Sequence, residues 1–329
     1  MLFQGNYLEK KRFSYLVSLT MFFSYAELLL PRFFPFFKLG LSNIVLLSSF
    51  SLSLPVFFLL TVFKAVSVSL ISGTLFSPFF IISLSQSVLS GLFMYFLFLL
   101  NRLSSKKIVS VYGLSVFGSV LSAFVQIFLT YLFVGRGVFL FSGPMLFFNI
   151  ISGIITAFFS KLFCIYKNVP DISINEEEQT SFKSSFFAFA KVLVILVLSV
   201  SVFFINSLSL LCVFFVLSIF MQMLSRRKIM ILPHIFMWIF IFFCSIFYSE
   251  GKVIFSFLNI SITQGSLFIA LKKALRLSGA MFFSQSAVNI PLSKKTVLGL
   301  SLAYYKNLCD KLKETKGNIF FRIKEAIKN

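Results

Sequence analysis

Apolar runs of membrane-crossing length recur from residue 13 to residue 288 of this chain, and clusters of cations punctuate them. A helix needs about 20 apolar residues to cross the hydrocarbon core of a bilayer. Residues 13–30, 39–54, 56–72, 78–100, 108–134 and 138–166 give six candidate spans, the second of them short and bounded by Pro55. Residues 186–206, 207–224 and 229–248 add three more, and 265–288 reads as an amphipathic or spanning helix. Hydrophobic residues make up 58% of the chain and charged residues only 12%, about half the charged fraction of a soluble domain. There is too little polar surface to cover a water-exposed globule. The expected fold is therefore an all-α integral membrane protein, a six-helix bundle followed by about four further transmembrane or amphipathic helices.

The net charge of +20 invites a nucleic-acid reading, but the placement of the cations opposes it. Nucleic-acid binders gather cations on one face of a solvated domain, whereas here they sit between apolar runs and in the C-terminal tail. With the N-terminus inside, alternate loops and the tail hold 21 cations, and the opposite loops hold four: Arg32, Lys38, Arg136 and Lys252. Such an excess marks cytoplasmic loops. The expectation is ten spans in a bacterial cytoplasmic membrane with both termini cytoplasmic. Residues 168–185 are polar, carry four of the ten acids and read as a linker. It divides the chain into 1–167 and 186–329, the latter a membrane domain ending in a basic cytoplasmic tail.

Several chemistries are excluded by missing residues. No Gly-x-x-x-x-Gly-Lys-Ser/Thr phosphate loop occurs, so ATP hydrolysis by that route is out. No paired aspartates occur to hold a magnesium diphosphate. The single histidine, His234, reads as sitting at a helix centre, where no Ser/His/Asp or Cys/His set can be assembled around it; following Pro233, it reads as bonding a neighbouring carbonyl. The four cysteines have no metal-ligand spacing and read as small hydrophobes. The chain is expected not to be an enzyme and to need no cofactor.

Polar residues inside apolar runs carry the remaining information. The stretch Glu27–Asn43 holds Pro31, Pro35, Gly40, Arg32 and Lys38 between two apolar segments, so the chain must turn there. Glu27 and Glu9 are the only acids in the first hundred residues. Lys64 sits about nine residues from either end of Val56–Gly73. An ionisable group at such depth faces a partner or a cavity. Glu27, Asn43, Lys64 and Gln126, with Asn149 a weaker fifth, are candidates for a solute pocket, and Lys38 for its mouth. A Glu27–Lys64 ion pair that merely stabilises the bundle is the alternative. If these groups line a pocket, the cations at its mouth favour an anionic solute.

The segments Glu27-Leu-Leu-Leu-Pro31, Lys38-Leu-Gly-Leu-Ser-Asn-Ile-Val45, Ser72-Gly-Thr74, Gly118-Ser-Val120, Gln126 and Ser152-Gly-Ile-Ile-Thr156 resemble, in order, the bacterial family named heptaprenyl diphosphate synthase component I, also called Gx transporters. The resemblance covers about residues 10–167. It implies the six-helix substrate-binding component of an energy-coupling factor (ECF) transporter, with a basic residue at Lys64. Ser122 and Ala123 stand where that family has His-Asn. Residues 186–290, above all Gly251–Phe255 and Thr263–Leu277 with its Leu275-Arg-Leu277, resemble the transmembrane coupling component of the same transporters. That resemblance implies coupling roles for Lys272, Lys273 and Arg276 and cytoplasmic ABC-type ATPase subunits as partners. The Ala-Arg-Gly motifs that dock those ATPases are absent after Asn289. The expected function is uptake of a small anionic organic solute or vitamin precursor, with no nucleic-acid partner. A non-catalytic membrane subunit of a polyprenyl diphosphate synthase is the alternative.

Overall fold

Capping residues set the borders of the long apolar helices. The computed structural model describes residues 7–29, 40–104, 108–163, 182–225, 231–246, 251–257, 260–287 and 296–328. Helix α3 (Leu54–Ser72) has Pro55 in its first turn, where a missing N–H costs nothing. It ends at Gly73, whose positive φ of 70° lets the Gly73 and Thr74 N–H groups fold back onto Leu70 and Ser69. Helix α4 (Pro78–Leu103) also opens on proline, and α5 (Val111–Val134) is capped by the Ser110 hydroxyl accepting from the Gly113 N–H. A 3-10 turn (Arg136–Phe141) leads into α6 (Ser142–Phe163). These four helices are long and apolar enough to cross a membrane. Their outer faces carry exposed rows such as Phe117, Phe124 and Phe128 on α5 and Phe147, Ile154 and Phe158 on α6. Such rows suit lipid contact.

The first helix is built differently. In α1 (Tyr7–Leu29) Ser14 and every residue from Leu16 to Phe23 is at most 4% exposed, so its whole circumference is covered. Phe13 meets Phe63 of α3, and Phe23 meets Phe163 of α6. Tyr15 meets Tyr304 of α11 (Val297–Glu314). The short α12 (Ile319–Lys328) follows, and the Tyr15 hydroxyl donates to the Ile327 carbonyl at 3.4 Å. The C-terminal segment, expected as a basic tail of the second unit, thus shares one core with α1. Leu300, Tyr304, Leu308 and Leu312 recur at helical spacing and supply the apolar stripe.

The second bundle repeats the plan. Helices α7 (Phe182–Ser201), α8 (Leu208–Leu224) and α9 (Ile231–Ser245) surround α10 (Gln264–Ala287). Ser278, Gly279 and Ala280 keep α10 slim where its neighbours approach. A hairpin of β1 (Val253–Phe257) and β2 (Ile260–Thr263) precedes α10 and is the only strand structure among the described residues. The two bundles are not independent. Ile127, Val134, Val138 and Met145 share a core with Ile241, Cys244, Ala270 and Ala274. Gly137 is required there, because a Cβ on it would overlap the Cys244 carbonyl.

One expected span is not a helix of spanning length. Within the described residues 40–53 only α2 (Asn43–Ser48) is helical, about 9 Å at 1.5 Å per residue. Lys38, Arg32 and both prolines of the preceding turn lie outside the described residues, as do 168–181 of the linker and the Arg226–Lys228 cluster.

Candidate functional site

The Lys-Leu-Gly-Leu-Ser-Asn turn brings three of the expected residues together. Gly40 adopts a φ of 62°, a conformation in which glycine is at ease, and its N–H donates to Glu27 Oε1 at 3.2 Å. That bond joins the last turn of α1 to the entry of α2. The Asn43 N–H donates to the Gly40 carbonyl at 2.8 Å, which closes the turn and holds the Asn43 side chain against Gly40. Lys64, 6% exposed in the middle of α3, donates through Nζ to Asn43 Oδ1. Ser152 of α6 lies on the same side of Gly40 as the Asn43 amide. Glu27, Asn43 and Lys64 thus belong to one connected polar group fed by α1, α2 and α3. Among the described contacts, Glu27 serves the turn and Lys64 reaches the amide.

Gln126 is placed elsewhere. Its Oε1 accepts from Gln86 Nε2 of α4 at 2.9 Å, and the same amide donates to the Ser122 carbonyl at 3.3 Å. Gln86 had no mark in the sequence beyond being polar in an apolar run. Thr61 packs on Gly91, and this fixes the register of the antiparallel pair α3–α4. Gln86 therefore lies within about one helical turn of the depth of Lys64. The polar groups of the first bundle form a layer rather than a scatter. Asn149 takes no part in it, since its amide donates to the Met145 carbonyl one turn back at 2.8 Å.

The three cations of α10 are engaged inside the chain. Lys273 donates to the Val134 carbonyl at 2.6 Å, capping the C-terminal end of α5 and tying the bundles together. Arg276 donates to the Ile205 carbonyl at 2.6 Å and to Asn206 at 3.0 Å. Lys272 lies 4.6 Å over the Phe268 ring. A second polar set missed by pattern reading lies in this bundle: Gln222 donates to Gln285 at 2.7 Å, and Trp238 donates to the Ser278 hydroxyl at 2.6 Å. His234 does not bond a carbonyl. Neither ring nitrogen has a hydrogen-bond partner among the described residues, and the imidazole stacks on Phe282 at 3.9 Å.

Residues 16–163 match the family model of heptaprenyl diphosphate synthase component I. Over these residues, which are less than half of the chain, the first half is similar to that family. Residues 188–290 match a model described as a domain of unknown function, so nothing in that match assigns a coupling role to the second half. No curated protein and no solved structure matches the chain.

Proposed function

We propose that this chain is a membrane transport protein of the ECF type, whose first half binds a small anionic organic solute. The observation that carries the reading is Lys64. A cation at mid-helix costs about 2.5–3.5 kcal/mol on insertion scales and marks a substrate or ion pathway more often than a structural one. Here it is buried, hydrogen-bonded to the neutral amide of Asn43, and beside a glycine turn that Glu27 secures. A lysine, the amide of Asn43 and the Gln86–Gln126 amide pair at about one depth suit a carboxylate or phosphate with hydrogen-bonding neighbours. Asn43, Lys64 and Gln126 are the proposed contacts, Glu27 holds the turn, and Lys38 stands next to it in sequence. The seat of α11 on α1 and of Lys273 on α5 supports the second half as the coupling part, with cytoplasmic ABC-type ATPases as partners. The Tyr15–Ile327 contact supports both termini on one side of the membrane, and the basic C-terminal segment favours the cytoplasmic side.

A second reading is favoured by the family description alone: a non-catalytic membrane subunit of a heptaprenyl diphosphate synthase. Affinity purification of the tagged full-length chain from its native membrane separates the two. Transport predicts ATPase subunits in the complex and a small anion retained with it. Recovery of an Asp-rich prenyltransferase without ATPases would replace the first reading by the second.

A further inference from the structure

The turn between α3 and α4 leaves its own bundle to bond with the other. Most of its polar groups are satisfied locally: the Ser72 and Thr74 hydroxyls pair at 2.8 Å, and the Ser77 N–H and hydroxyl both donate to the Thr74 carbonyl. Phe76 is the exception. Its N–H donates to the Ser284 hydroxyl of α10 at 2.9 Å, and its carbonyl accepts from the Ser199 hydroxyl of α7 at 2.5 Å. Both serines are at most 1% exposed. The Phe76 ring packs on the core of Ile195, Val202, Leu275 and Phe283, and is the only described member of that core from the first half. One residue of the first half is thus held by its ring and by both backbone groups.

Helix lengths show what this grip fixes. Lys64 stands eight residues before Ser72, the end of α3, and Gln86 eight residues after Pro78, the start of α4. Gln126 stands eight residues before Val134, the end of α5, whose carbonyl accepts from Lys273 of α10. Each site residue is therefore about 12 Å from a helix end that the second half holds. The five residues 73–77 give α3 and α4 slack to slide past each other, and pinning Phe76 takes that slack up. We infer that α10 positions the solute site from outside it: through Ser284, with Ser199 of α7, it holds the α3–α4 turn, and through Lys273 it holds α5. It thereby sets the spacing of Lys64 from the Gln86–Gln126 pair. Ser199 and Ser284 are positioning residues that act through Phe76. Their bearing on solute rests on the reading of Lys64 as an anion contact.

The full-length protein in nanodiscs tests this with two readouts. Nitroxides on p-acetylphenylalanine at the exposed Leu54 and Ile81, near opposite ends of the α3–α4 pair, report by pulsed electron resonance how the two helices stand and leave the cysteines untouched. The rise in melting temperature given by inorganic phosphate, against chloride at equal ionic strength, reports on the site. In the Ser199→Ala, Ser284→Ala double variant the distance should move or broaden by about 1.5 Å, one residue of helix rise, or more. The phosphate concentration giving half the melting shift should rise about tenfold. Each single variant keeps one bond and should show a smaller change in the same direction, which carries the test if the double variant does not purify. Ser278→Ala, which loses only the bond to Trp238 inside the second half, should leave both readouts at their wild-type values. A distance unchanged in the serine variants, moved equally by Ser278→Ala, or moved while the phosphate response stays at the wild-type level would overturn the inference. A distance that moves as expected, with no phosphate response in any form including the wild type, would uphold the grip and contradict the anion reading of Lys64 instead.

Discussion

Helices α1 and α10 hold the same position in their two bundles, each enclosed by its neighbours, yet they are secured in opposite ways. Between its ends, the polar side chains of α1 turn back on their own helix: Ser18, Thr20 and Ser24 donate to the Tyr15, Val17 and Thr20 carbonyls, while Tyr15 and Glu27 reach the Ile327 carbonyl and the Gly40 N–H. Those of α10 reach outward, to Gln222 through Gln285, to Trp238 through Ser278, to Phe76 through Ser284, and to Val134 and Ile205 through Lys273 and Arg276. The first is held by packed volume and the second by directional bonds. A helix held by volume depends on its covering neighbours. One held by bonds depends on particular side chains.

The largest expected effect follows from the cover. Deleting residues 296–329 strips α11 and α12 from α1 and exposes the face that Leu300, Tyr304, Leu308 and Leu312 now bury. The truncated chain should fail to purify as a single species in mild detergent. The single change Tyr304→Ala should already cost about 3 kcal/mol or more in thermal unfolding, as large core truncations do. A truncated chain as stable as the whole would show that α1 needs no cover.

Next come the directional bonds. Gln222→Leu removes the donor to the buried Gln285 Oε1 and should destabilise by about 1–3 kcal/mol. The double change Gln222→Leu with Gln285→Leu should recover part of that loss. Thr20→Val in α1 should cost about 1 kcal/mol or less, since only a bond within the helix is lost. Equal costs at Thr20 and Gln222 would erase the contrast between the helices. The smallest effect is at Lys272, where replacement by Ala removes a cation–ring contact worth about 0.5 kcal/mol at an accessible site; thermal melts should barely move.

The sequence reading reached the membrane fold and the first half's family resemblance because both rest on local signals, apolar run length and a contiguous motif. Glu27, Asn43 and Lys64 were legible for the same reason, as polar residues standing out in apolar runs. Their partners were not. Gln86 and Gln222 lie in equally apolar runs, and which of two glutamines faces another depends on helix rotation and register. The seat of α11 on α1 spans nearly the whole chain, and an amphipathic stripe states that a helix needs a partner without naming it. The segment 39–54 was apolar enough to suggest a span, but the backbone turns at Gly40 and again at Ser49 leave only six helical residues.

The central claim is that Lys64 and Asn43 hold an anionic solute. Native mass spectrometry of the full-length protein tests it most directly, applied to the wild type, Lys64→Ala, Asn43→Ala and the Glu27→Leu, Lys64→Met double variant, each with a thermal melt. The account predicts a bound small anion on the wild type, lost from Lys64→Ala and from the double variant and weakened about tenfold or more in Asn43→Ala, where a hydrogen bond to a charged group is removed. A double variant that melts like the wild type and still carries the anion would contradict it, and would leave Lys64 a structural cation only.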